Sequence, residues 1–194
     1  MDKFWPKATQ LPFTGAAAGT YVQGAPFRGV LHTTQVKDYT PSATSYYGHT
    51  DAPHFTLALK GGIAQMWQHF PITSSARALK NLPGGVETNR RGALQIEIAW
   101  LAEEIEQLPD TMVVLLKEWM RWVEAQAGVQ RTSPVFLGDS AAGVNSPSRM
   151  SAATWNSFNG WCGHQHVPEN KHWDPGKIDI AHLLAVAPPT PLTA

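Results

Sequence analysis

The chain has 194 residues, long enough for one domain with a real core, and its 15 Lys+Arg balance its 15 Asp+Glu at a formal net charge of zero. That balance argues against a phosphate-backbone binder, so no nucleic-acid partner is expected. A lone Cys162 excludes a disulfide scaffold and a multi-cysteine zinc finger.

In chain order, residues 1–27 are rich in Gly, Ala, Pro and Thr and read as an irregular arm packed on the domain through Phe4 and Trp5. The stretch Met1–Pro6 has no apolar core before a cleavage site, so no signal peptide is expected. Residues 28–34 read as a short strand and 35–52 as a polar loop with three tyrosines. Residues 53–59 alternate as a strand, Lys60-Gly61-Gly62 signals a tight turn, and 63–70 read as the hairpin partner. Residues 82–85 make another turn, and 93–98 read as a buried strand. Met112, Leu115, Leu116, Trp119, Trp122 and Val123 recur at helical spacing and predict a helix over about 111–127. Asp110 or Thr111 is the expected cap, and Gly128 the expected stop. Shorter helices are expected over 151–158 and 179–185. The tail 187–194 is proline-rich and reads as the start of a linker. No apolar run approaches the roughly 18 residues of a membrane span, so no membrane partner is expected. Strands interspersed with helices predict a single α/β domain with a central mixed sheet flanked by helices.

Two stretches could carry chemistry. Between Cys162 and Gly176 lie three histidines (His164, His166, His172) and Asp174, in a Pro-, Asn- and Gly-containing segment that reads as a loop. Such a loop can fold back and bring His164 and Asp174 to one metal; imidazole and carboxylate suit Zn²⁺, and a catalytic site uses three protein ligands. His32, at the end of a predicted strand, is a candidate third ligand. Histidine-rich loops are also often merely exposed. The second stretch is Glu87–Ile98, where Glu97 interrupts an apolar strand. Glu97 is either the solvent-facing position of an alternating strand or a carboxylate held beside a metal-activated water.

Together these residues carry a resemblance. Gly163-His164 with Val167, then Asp174-Pro175-Gly176, resembles the C-terminal signature of the zinc-dependent N-acetylmuramoyl-L-alanine amidases (amidase-2), which share their fold with the peptidoglycan recognition proteins. Val30-Leu31-His32-Thr33-Thr34, Pro53-His54-Phe55 and Glu87-Thr88-Asn89 with Ile96-Glu97-Ile98 follow the family's order. The form Trp161–His164 with His172–Gly176 is similar to the amidase domains of actinobacteriophage endolysins. The resemblance implies one Zn²⁺ held by His32, His164 and Asp174, a catalytic Glu97, and His172 where many members have a catalytic lysine. It implies a catalytic domain over 28–186 that cleaves the amide between N-acetylmuramic acid and L-alanine of bacterial peptidoglycan.

His54, Arg77 and Asn89 are candidate substrate contacts; His54 could instead pack structurally, and Arg77 could be an ordinary surface arginine. His166 is expected to brace the loop, and Cys162 to be a small buried residue. His49, His69 and His182 are expected on the surface or on helices. The neutral charge and the tail suggest a catalytic piece of a longer monomeric protein, with a cell-wall-binding domain to follow. Made in a host cytoplasm without a signal peptide, a phage lysin would depend on a holin. Two other readings remain at this point: a recognition module that holds the muropeptide without cutting it, and an amidase acting on soluble anhydro-muropeptides.

Overall fold

The computed structural model describes residues 2–13, 17–42, 45–46, 51–138 and 146–185. Six strands form one sheet: β1 (Thr9–Gln10), β2 (Arg28–Thr33), β3 (Phe55–Lys60), β4 (Ile63–Gln68), β5 (Ala93–Ile98) and β6 (Trp161–Gly163). Their order across the sheet is β1-β4-β3-β5-β2-β6. Neighbours run parallel except β3 and β4, which form the predicted hairpin. Its two turn residues, Gly61 and Gly62, have φ of 59° and 79°. Two successive left-handed residues match the turn to the strand twist, and glycine adopts them without penalty.

Helix α1 (Asp110–Ala127) lies across one face of this sheet. Alternation along the strands points Leu31, Phe55, Leu57, Leu94, Ile96 and Ile98 at Met112, Leu116, Trp119, Met120 and Val123. Each large apolar side chain fully buried here contributes about 1.5–3 kcal/mol. The helix ends at Gly128 as expected, with φ 68° and its N–H on Glu124 O. Its start differs from expectation: Pro109 occupies the cap position, and neither Asp110 nor Thr111 caps it. The Pro109 carbonyl receives the Met112 and Val113 N–H groups instead. Helix α2 (Ala152–Ser157) is capped by Ser151, and α3 (Ile180–Leu184) by Asp179. Among the described residues no helix is long and apolar enough to cross a membrane.

Two other features depart from the sequence reading. The arm is not wholly irregular, since Thr9 and Gln10 pair with Trp67 and Gln68 and extend the sheet. Trp5 is buried in the main core, while Phe4 is exposed. The segment read as a loop from Cys162 begins instead with an edge strand, β6, followed by a 3₁₀ turn at His164–His166. Gly29 lies opposite Trp161 in that pairing, and a Cβ there would meet the Trp161 ring at 2.1 Å. Glycine at this position lets the Trp161 ring lie flat against the strand. Residues 14–16, 43–44, 47–50, 139–145 and the tail from 186 fall outside the described residues, and with them His49 and the linker expectation.

Candidate metal centre

The face of the sheet opposite α1 changes character along its length. Near the start of the strands it is apolar, with Val30, Ala93 and Cys162 packed on Leu79, Trp155 and Val167. Towards the carboxyl ends it presents His32, Glu97 and Thr56. Register explains the grouping: His32 and Thr56 are both direct partners of Glu97, so all three side chains share one face. On the other side of β2, Leu31 pairs with Gly163, so the chain reaches His164 just beside His32.

The return of the loop is organised by Gln165, which is fully buried. Its amide donates to the carbonyls of Leu137, Trp173 and Gly176, and its oxygen accepts from Leu137 N. Gln165 N also donates to Asp174 O at 3.0 Å. The Asp174 side chain is thereby brought against the two histidines, where Thr33 N donates to its Oδ2 at 3.3 Å.

The result is a buried cluster of three ligating groups whose donor atoms lie within 4.8 Å of one another: His32, His164 and Asp174. The two Nδ1 atoms are 3.1 Å apart, with Asp174 Oδ1 3.3 Å from His164 Nδ1 and Oδ2 3.6 Å from His32 Nδ1. Burial, and next the neighbouring His164, push the His32 imidazole down to about 3, so it is neutral at pH 7. Burial alone would raise the Asp174 carboxyl, but the rings of His164, His172 and His32 outweigh it and hold the group below the usual carboxylate range. Ring nitrogens and a carboxylate converging in a buried spot fit a cation. A two-histidine, one-carboxylate donor set with three protein ligands suits catalytic zinc.

Glu97 stands beside the cluster, its Oε1 4.0 Å from His32 Nδ1. Its side chain is 15% exposed, so it is not the solvent-facing residue of an alternating strand. Burial first, and Asp174 second, raise its pKa well above the ordinary glutamate value. His172 lies at the rim with 57% of its side chain exposed. Its ring stacks on His164 at a centroid distance of 4.0 Å, and its Nδ1 is 3.5 Å from Asp174 Oδ1.

The remaining candidates are placed differently. His54 is fully buried: its Nδ1 accepts from Gln95 N, and its Nε2 meets Ser74 O and the Tyr21 hydroxyl. Both ring nitrogens are thus taken up inside the fold, the structural packing that was one of its two expected roles. The Asn89 side chain is also engaged, bridging the backbone of Leu79 and the amide of Gln95. Arg77 is exposed on a cavity of about 530 Å³ shared with Lys80 and Arg90, opposed by Asp51 and Glu87. His166 braces its loop, with Nδ1 accepting from Gly163 N and Nε2 meeting Val135 O. Cys162 is buried and His182 is exposed on α3.

His69 is not a surface residue. It is 2% exposed, stacked on Phe13 at 4.2 Å, with Nδ1 on Leu11 O and Nε2 on the Thr56 hydroxyl. Thr56 and Tyr46, whose hydroxyls meet at 2.8 Å, and Asn170, on the outer nitrogen of His164, had no signal in the sequence.

No protein-family model matches the sequence, and no curated protein does. Solved structures do. The N-acetylmuramoyl-L-alanine amidase LysC from Clostridium intestinale URNW is 14% identical with a TM-score of 0.55, over 92% of this chain and 95% of that one. The endolysine N-acetylmuramoyl-L-alanine amidase LysCS from Clostridium intestinale URNW is 15% identical with a TM-score of 0.56, over 93% and 95%. The fold is that of these two amidases. In this amidase fold the His32–His164–Asp174 cluster lies at the carboxyl end of parallel strand β2, where open α/β sheets commonly place their ligands.

Proposed function

We propose that the chain is a zinc-dependent N-acetylmuramoyl-L-alanine amidase, of the kind that serves as the catalytic domain of a phage endolysin. The observation that carries this reading is the buried His32–His164–Asp174 cluster with Glu97 beside it on the same sheet face. The likeness in fold to two amidases supports it.

The substrate is the amide joining the lactyl group of N-acetylmuramic acid to L-alanine in peptidoglycan. Hydrolysis of that bond needs a better nucleophile than neutral water and a better electrophile than an amide. His32, His164 and Asp174 would hold the zinc, which when bound supplies Lewis acidity and lowers the pKa of water. Glu97 accepts the proton of the attacking water and delivers it to the departing L-alanine nitrogen. A carboxyl with a raised pKa is suited to both halves of that transfer. His172, exposed at the rim and stacked on His164, is placed to donate a hydrogen bond to the oxyanion of the tetrahedral intermediate. The cavity bearing Arg77, Lys80 and Arg90 offers cationic groups to stem-peptide carboxylates.

Metal removal tests the reading. Chelator-treated protein is expected to lose its release of peptide from isolated peptidoglycan and to regain it with zinc, but not with magnesium. Release that persists unchanged in the zinc-free protein would overturn the role given to the cluster.

A further inference from the structure

The outer edge of His164 is held by one side chain that the sequence did not single out. Asn170 is 2% exposed, and its amide is saturated. Its Oδ1 lies 3.1 Å from His164 Nε2 and accepts from Lys80 N at 2.9 Å. Its Nδ2 donates to Lys80 O at 3.0 Å and to Pro168 O at 2.8 Å. An asparagine amide offers two lone pairs and two N–H groups, and all four are used.

This network decides which way the amide points. A flipped Asn170 would set its oxygen against the Lys80 and Pro168 carbonyls and its N–H groups against the Lys80 N–H. The atom facing His164 is therefore an acceptor, so Nε2 carries a proton. Nδ1, the atom facing His32 and Asp174, is then the ring nitrogen left to bind a metal. With the proton on the other nitrogen, His164 would be no ligand. His32 has no such brace: among the described residues its Nε2 is buried without a partner.

We propose that Asn170 is a positioning residue for His164, fixing the tautomer and ring orientation that make Nδ1 a metal ligand and tying that ligand to the Lys80 wall of the Arg77 cavity. Both backbone groups of Lys80 end on Asn170. The wall of the cavity and the ligand of the metal centre thus share one rigid clamp. The metal half of this inference rests on the zinc reading above; the tautomer half does not.

The test compares the full chain with Asn170→Ala and Asn170→Asp, without and with zinc. Long-range ¹H–¹⁵N NMR of the metal-free protein reads the His164 tautomer, and competition against a chromophoric chelator reads zinc affinity. The wild type is expected to show the Nε2–H form. Asn170→Ala should populate the Nδ1–H form and bind zinc about 10–100-fold more weakly, the usual cost of losing a partner behind a ligand. Asn170→Asp keeps an acceptor on Nε2, so it should restore the tautomer and bring zinc affinity to within a few-fold of wild type. That rescue should occur even though the variant loses the donors to Lys80 O and Pro168 O and is less stable. Equal loss of stability in both variants, with tautomer and zinc affinity unmoved, would overturn the proposal. So would an Nδ1–H form of His164 in the wild type, which decides the matter even if Asn170→Ala does not fold. A wild type that binds no zinc tightly would overturn the metal reading, while the tautomer result would still decide the orientation that Asn170 imposes.

Discussion

Glu97→Gln is expected to reduce turnover by about 10²–10⁴-fold, the range for loss of a general acid–base, while leaving zinc binding and the fold in place. Glutamine has the same shape and volume, so Thr56 and His32 keep their neighbour in the register. It has no site for the proton that water must give up. Glu97 is not one of the three clustered ligands, so zinc stoichiometry should stay at one per chain. The substitution also removes a carboxyl whose charged form is disfavoured by burial. The melting temperature should therefore hold or rise. Initial rates on peptidoglycan, metal content and thermal melts read the three quantities together. A variant that retains more than about a tenth of wild-type turnover would show that Glu97 is not the proton carrier. A variant that loses zinc would make it part of the metal site instead.

The zinc-free protein is expected to be labile to mild acid. Burial pushes four histidines far below the ordinary imidazole value of 6.5: His32 to about 3, and His54, His69 and His166 each to about 4. In the unfolded chain each takes up a proton near pH 6.5, whereas the folded protein resists until pH 3–4. Between those values the unfolded state binds more protons, so stability falls as pH falls. Each group contributes on the order of 3–5 kcal/mol at most over that interval. Four together compare with the whole stability of a domain, about 5–15 kcal/mol. Glu97 works in the opposite direction, because its raised folded pKa favours the folded state as pH drops through the window above the ordinary glutamate value. Asp174, held low, adds its own loss only at still lower pH. Melting temperatures of the metal-free protein should decline steadily from pH 7 and show an unfolded chain by about pH 4. A flat profile between pH 7 and 4.5 would mean that the buried histidines are not held neutral.

The histidines also show what a sequence can and cannot reveal. His32 and His164 are 132 residues apart, and spacing alone would not have joined them. Their pairing followed from resemblance, and the register of β2 with β6 supplies the physical reason. The Gly61-Gly62 turn and the amphipathic face of α1 were legible because their causes are local: left-handed φ in one case, helical periodicity in the other. His69 reads wrongly from the sequence because its environment is made by residues 56 and 58 positions away. The arm brings Phe13 and the Leu11 carbonyl over the end of β4, and nothing near His69 announces that cover. Strand β6 was missed for a related reason. It has three residues, and its pairing with β2, not its composition, makes it a strand. Asn170 sits in a histidine-rich loop, but its role depends on Lys80, 90 residues away.

The central claim is that this cluster serves the cleavage of one bond, and the products of digestion test it most directly. Purified protein with one zinc per chain would be incubated with isolated peptidoglycan and the soluble products identified by mass spectrometry. The account predicts stem peptides with a free L-alanine amino group and glycan strands whose muramic lactyl groups end in a carboxylate, one water added per cut. New reducing sugar ends, cuts within the stem peptide, or intact wall with the protein merely bound to it would contradict the account.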